Sequence, residues 1–155
     1  TMVQPHLVSA VRLPSGIERD IDSSQTVSAF SPIAARETAT MMTALVDEKL
    51  EGGRARITTM SVAGKTGTAQ LTNGRGGYYT DRYFHSFFGF FPSYAPRYVI
   101  LLYTNDPKGV QYASETLDST FLDLTHFLID YYAVPPDRGL SAQADLPQRA
   151  TLTTL

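Results

Sequence analysis

The sequence predicts an α+β domain, an antiparallel sheet covered by helices in a layered sandwich. Three observations carry this. Residues 84–91 and residues 98–103 read as strands rich in aromatic and branched side chains. The segment joining them, Pro92-Ser93-Tyr94-Ala95-Pro96, is too short for a crossover, so the strands must be antiparallel neighbours. Residues 98–103 are also apolar without alternation, the pattern of a strand buried on both faces. Helices are then expected on both sides of the sheet, with part of one cover lying outside this sequence.

Taken in order, residues 3–13 alternate around Val3, Leu7, Val11 and Leu13, Pro14-Ser15-Gly16 turns the chain, and residues 17–21 return as a second strand. This is a peripheral hairpin. It contains His6, a lone histidine for which a surface role is expected. Ser31-Pro32 opens a helix: serine caps free N–H groups and proline is at ease in the first turn. Ile33, Met41, Met42, Leu45, Val46 and Leu50 form its expected apolar face, the methionines as core filler. Gly52-Gly53 ends it. Arg54 and Arg56 follow, expected in solvent.

Residues 71–82 are rich in Gly, Asn and Tyr and are expected to form a mobile loop overhanging a strand end, with Tyr78, Tyr79 and Tyr83 packing it down. His85 next to Ser86 is no catalytic pair, because adjacent strand residues point to opposite faces. Asn105-Asp106-Pro107-Lys108-Gly109 is a turn. Ser114 is expected to cap a second helix, with Glu115 and Asp118 well placed in its first turns. Leu117, Phe121, Leu124, Leu128 and Tyr131 form its core stripe, with His126 off it and exposed. Pro135-Pro136 stops the helix, and residues 137–155 read as a tail or linker after a domain spanning 1–136.

The chemistry concentrates in Ser61-Val62-Ala63-Gly64-Lys65-Thr66-Gly67-Thr68-Ala69-Gln70. In an extended strand Lys65 and Gly67 share one face and Thr66 and Thr68 the other. Gly67 lets a foreign backbone come close. Such a strand suits an anion lying beside it, a carboxylate held by ammonium and hydroxyls. Gly64-Lys65-Thr66 also resembles the end of a phosphate-binding loop. That motif requires glycine where Thr59 stands, and the glycines after it refuse the helix that must follow.

Lys-Thr-Gly is one of three signatures of penicillin-binding proteins and serine β-lactamases. The longer string from Ala63 to Gln70 resembles the monofunctional (class B) penicillin-binding transpeptidases. Gln4-Pro5-His6-Leu7-Val8, Ser86-Phe87-Phe88-Gly89-Phe90-Phe91-Pro92 and Asn105-Asp106-Pro107 agree with it in order, so the resemblance covers about residues 3–136. The other two signatures, Ser-x-x-Lys and Ser-x-Asn, are absent. The three lysines, Lys49, Lys65 and Lys108, follow no serine at that spacing, and Asn73 and Asn105 follow Leu71 and Tyr103. The resemblance therefore implies the C-terminal portion of a transpeptidase domain, inactive alone, whose nucleophile lies outside this chain.

By resemblance, the parent protein cross-links peptidoglycan by serine acyl transfer. Lys65 would place positive charge near the substrate carboxylate, Thr66 and Thr68 would hydrogen-bond it, and Gly67 would admit the peptide. The Thr68 N–H would complete an oxyanion hole. Stem peptides and β-lactams are the implied ligands, and no cofactor or metal is called for. The parent is expected on the extracytoplasmic, periplasmic face of a bacterial membrane, anchored there among cell-wall synthesis proteins. The missing N-terminal part of the domain is its expected partner, and the face it would cover implies self-association of this chain. A non-catalytic binding or scaffolding module of the same fold remains the alternative, and a β-lactamase relative is disfavoured by the long string and the proline-terminated tail.

Composition narrows the field from the other side. A net charge of −2 supplies no basic field for nucleic acid. No run approaches the ~20 apolar residues of a membrane span, and the absence of cysteine excludes disulfides and thiolate metal sites.

Overall fold

The computed structural model describes residues 2–3, 7–21 and 26–139. Two units make up the chain, residues 1–37 and 38–155. In the first, β1 (Met2–Val3), β2 (Ala10–Arg12), β3 (Glu18–Asp20) and β4 (Thr26–Val27) form two antiparallel pairs, β1 with β4 and β2 with β3. The predicted hairpin is β2–β3, with Val11 opposite Arg19 and Gly16 at φ 84° in its turn. His6 lies outside the described residues, as do positions 140–155 of the expected tail.

Helix α1 (Pro32–Glu48) starts where the sequence places it, with the Ala34 N–H donating to the Ser31 hydroxyl at 3.1 Å. Its buried line differs from expectation. Ala39, Thr43 and Val46 are buried, and Leu50 beyond the helix continues the line, while Ile33 and Met41 are exposed. Ala39, Thr43, Val46 and Leu50 follow a four-three-four spacing that puts Met41 on the far side. Thr43 can join an apolar line because its hydroxyl donates to the Ala39 carbonyl at 2.7 Å.

The body of the second unit is a three-stranded antiparallel sheet, β5 (Ala63–Thr72), β6 (Tyr78–Phe91) and β7 (Tyr98–Asn105), in that order. The mobile loop expected at 71–82 is mostly strand. The Asn73 side-chain oxygen accepts the N–H groups of Arg75 and Gly77, so one asparagine closes a tight hairpin and both strands run on to meet it. Helix α2 (Ser114–Tyr131) packs on the sheet through Phe121, whose ring stacks on Phe87 at 4.1 Å.

Directly opposed strand residues share a face. Gly64, Gly89 and Ile100 therefore lie together, as do Thr66, Phe87 and Leu102. Both helices cover this face: a Cβ on Gly64 would stand 3.1 Å from Val46 of α1, and one on Gly89 2.4 Å from Phe121 of α2. The other face carries Lys65, Phe88 and Leu101 in one row and Gly67, Ser86 and Tyr103 in the next. Val99, Leu101 and Tyr103 are 66%, 62% and 67% exposed there. Burial of β7 on both faces is thus corrected. An unbroken apolar sequence shows that both faces are fit for cover, and among the described residues only one receives it.

The predicted stripe of α2 is shifted too. Leu117, Asp118, Phe121, Leu122 and Thr125 are buried, Leu124 and Leu128 border them, and Tyr131 is exposed. Ser114 makes no cap. Glu115 reaches back instead and accepts the Gln111 and Tyr112 N–H groups at 3.1 and 2.8 Å. The expected boundary at 136 is passed by two anchored residues. Arg138 pairs with Asp47 at 2.5 Å and donates to the Ile57 carbonyl, and Asp137 accepts the N–H and hydroxyl of Ser61. Among the described residues no helix is long and apolar enough to cross a membrane.

Asp118 was expected to favour the helix dipole, but it sits a full turn in and is only 6% exposed. Burial, together with the nearby Glu51 carboxylate, raises its carboxyl from 3.8 to about 6. A raised acid holds its proton better folded than unfolded, so stability falls as pH rises from about 4 to about 6 and stays low above. Asp118→Asn removes the charge without changing shape. It is expected to stabilise the chain at pH 7 by on the order of 1–2 kcal/mol, with local water screening allowed for, and by little at pH 4. Urea unfolding at both pH values checks this; an equal effect at both would show that the charge is not the cause.

Candidate functional site: an edge strand bearing lysine and threonine

Strand β5 has β6 on one side and no partner on the other among the described residues. Its sequence explains this local structure. Gly64 is required because a Cβ would meet the Phe87 ring at 2.8 Å, and the β-branched threonines that follow it suit a pleated strand.

The four predicted site residues divide between the two faces as the alternation requires. Lys65 and Gly67 lie on the open face, opposite Phe88 and Ser86. Thr66 and Thr68 lie on the helix-covered face, opposite Phe87 and His85. Lys65 is exposed, and its ammonium donates to the Thr66 carbonyl at 2.8 Å. The Ser86 hydroxyl occupies the space over Gly67, 2.5 Å from where a Cβ would stand. A ligand touching both Lys65 and the threonines has to lie along the free edge of β5, the one line from which both faces are reached.

Thr68 has a partner that the sequence did not suggest. Its hydroxyl accepts the Ala113 N–H, at 3.0 Å, just before α2 begins. Beside it His85 is fully buried. The His85 Nε2 lies 3.0 Å from the Gln111 carbonyl, and Nδ1 lies 2.9 Å from the Thr116 hydroxyl. A carbonyl only accepts, so Nε2 carries a proton and donates; Nδ1 meets the Thr116 hydroxyl, which also lies 3.2 Å from the Ala113 carbonyl. The one available signal for this network was a polar ring inside an aromatic strand.

Three positions along β6 from His85, Arg82 meets Asp106 at 2.8 Å and Lys108 meets the same carboxylate at 2.6 Å. Hydrogen bonds from these two cations hold the Asp106 carboxyl below its usual range. The Arg82 guanidinium also lies 4.6 Å from the centre of the Tyr79 ring. The predicted turn at 105–109 is thus tied to the start of β6, away from Lys65. Arg54, Arg56 and His126 are exposed, as expected. Among the described residues no three His, Cys, Asp or Glu side chains could hold a metal ion.

The penicillin binding protein transpeptidase domain family matches residues 1–125. A probable peptidoglycan D,D-transpeptidase of Pseudomonas aeruginosa, PbpC, is 32% identical over 127 residues, 81% of this chain and 22% of its own length. Penicillin-binding protein PbpB of Mycolicibacterium smegmatis is 29% identical over 148 residues, 88% of this chain and 23% of that protein. Among solved structures, penicillin binding protein 3 of Mycobacterium tuberculosis, complexed with ampicillin, superposes with a TM-score of 0.67 at 26% identity. That match covers 86% of this chain and 32% of the other. The chain thus spans less than a quarter of the length of the curated relatives it matches. The fold is that of the solved transpeptidase domains, and the chain belongs to the penicillin-binding protein transpeptidase domain family.

Proposed function

We propose that this chain supplies the substrate-binding edge strand of a peptidoglycan D,D-transpeptidase of the monofunctional class, with the serine nucleophile contributed from outside this sequence. One observation carries the proposal. The Thr68 hydroxyl already accepts the Ala113 N–H, so its own proton is left to donate at the free edge of β5. A carboxylate only accepts. Thr68 is therefore set in the polarity that a terminal D-alanine carboxylate, or that of a β-lactam, requires. Lys65 stands on the neighbouring face with no ion pair among the described residues to neutralise it.

The reaction needs two acyl transfers. The serine oxygen adds to the penultimate D-alanine carbonyl, the bond to the terminal D-alanine breaks, and that residue leaves with a proton on its amine. An amine of a neighbouring stem peptide then attacks the ester, forms the cross-link and returns the serine. Lys65 holds the substrate carboxylate and favours proton loss nearby, Thr66 and Thr68 hydrogen-bond the carboxylate, and Gly67 keeps the strand surface low. The Thr68 N–H serves the oxyanion, a donor worth about 2.7–4 kcal/mol in comparable sites. The uncovered face with Phe88, Leu101 and Tyr103 is assigned to the remainder of the domain; without it, self-association of this chain is expected. The parent works on the extracytoplasmic face of the bacterial membrane, anchored to it.

Intact mass before and after incubation with benzylpenicillin tests this. No covalent adduct is expected on this chain, and one adduct per molecule on the full-length gene product. An adduct on this chain alone would place the nucleophile within it. A full-length product that stays unlabelled would favour a non-catalytic binding module.

A further inference from the structure

Among the described residues, Thr68 is the only predicted site residue whose hydroxyl is bonded to another element, and that element is itself held by a buried histidine. The segment from Gln111 to Thr116 contains the Ala113 N–H on which the orientation of the Thr68 hydroxyl depends. It is tied down at both ends by one ring, through Gln111 at Nε2 and Thr116 at Nδ1. His85 lies directly across the ladder from Thr68, so the ring and the hydroxyl meet the same segment from adjacent strands. Fully burying an imidazole is costly unless both nitrogens are satisfied, and here both are satisfied by this one segment. The transpeptidase reading gives the ring no chemical step. An apolar residue would fill the same space beside Phe87 with less to satisfy.

We propose that His85 is a positioning residue for carboxylate recognition: it locks the Gln111–Thr116 segment so that the Ala113 N–H holds the Thr68 hydroxyl with its proton turned outward. This rests on the reading of β5 as the substrate-binding strand. Without the ring, the segment keeps only the Glu115 carboxylate on its Gln111 and Tyr112 N–H groups, the Ala113 N–H is held less firmly, the Thr68 hydroxyl is freer to turn its proton inward, and the carboxylate loses a well-aimed donor. A hydrogen bond to a charged group of this kind is worth roughly a ten- to hundredfold preference.

The test uses the full-length gene product and the ratio of acylation rates for benzylpenicillin and for its methyl ester, which lacks the carboxylate. Thr68→Val is expected to lower that ratio at least tenfold. His85→Phe is expected to lower it comparably, the double variant no further, and His85→Gln, which keeps a donor for the Gln111 carbonyl, to recover part of it. A purely structural loss would slow both compounds alike and leave the ratio unchanged. Should His85→Phe fail to fold, Thr116→Val removes one anchor at constant shape and is expected to lower the ratio less. An unchanged ratio in the His85 and Thr116 variants, with Thr68→Val still effective, overturns the positioning role. An unacylated wild-type protein overturns the transpeptidase reading instead. Hydrogen exchange at the Ala113 amide of this chain then tests the lock by itself: faster exchange in His85→Phe supports it, and equal exchange refutes it.

Discussion

Gly89→Ala is expected to destabilise this chain by about 3 kcal/mol, at the top of the usual range for overpacking. An added Cβ would stand 2.4 Å from the Phe121 ring and 2.8 Å from the Ala63 carbonyl oxygen. The ring could retreat only by giving up its stack on Phe87, and the carbonyl belongs to the backbone of the neighbouring strand. Gly64 lies directly opposite Gly89, so the two glycines form a hollow into which the aromatic rings settle. For a chain of this size the loss corresponds to roughly 6–12 °C in Tm. Gly67→Ala is the control. Its Cβ would meet the Ser86 hydroxyl, which can rotate away, so stability should change by less than about 1 kcal/mol. Urea unfolding of the two variants decides the matter, and equal costs would show that backbone crowding is not what distinguishes them.

Lys65→Ala in the full-length protein is expected to slow acylation by benzylpenicillin roughly a hundredfold, the scale of a lost charge-assisted contact. Lys65 is exposed on the open face and, among the described residues, its ammonium hydrogen-bonds only to the Thr66 carbonyl, so its removal should leave the melting temperature within about 2 °C. Lys65→Arg keeps the charge but replaces a compact ammonium with a planar fork, and is expected to restore only part of the rate. Acylation kinetics read beside thermal melting separate the two effects. A slow variant that also melts early would make Lys65 a structural residue; a fast one would remove it from the site.

Much of this was legible because it depends on neighbours in sequence. Alternation alone put Lys65 and Gly67 on one face and Thr66 and Thr68 on the other, and it separated His85 from Ser86. The cap at Ser31 and the antiparallel turn at 92–96 follow from residues a few positions apart. The Lys-Thr-Gly-Thr string, with its ordered companions, marked both the family and the strand proposed to bind substrate.

The remainder was decided by contacts between residues far apart in the chain. Periodicity names the apolar positions of a helix but not which of them meets a sheet, so Met41 and Tyr131 emerged on the surface and Asp118 went inside. The apolar run of β7 could not say that one of its faces would stand open, because hydrophobicity measures fitness for burial and a partner supplies it. Asn73 and Glu115 took over the turn and the cap because their side chains reached backbone N–H groups that the local reading assigned elsewhere. Above all, no spacing rule links Thr68 to Ala113 or His85 to Gln111 and Thr116. Those bonds exist because the packing of Phe121 into the Gly64–Gly89 hollow brings the start of α2 down onto β5.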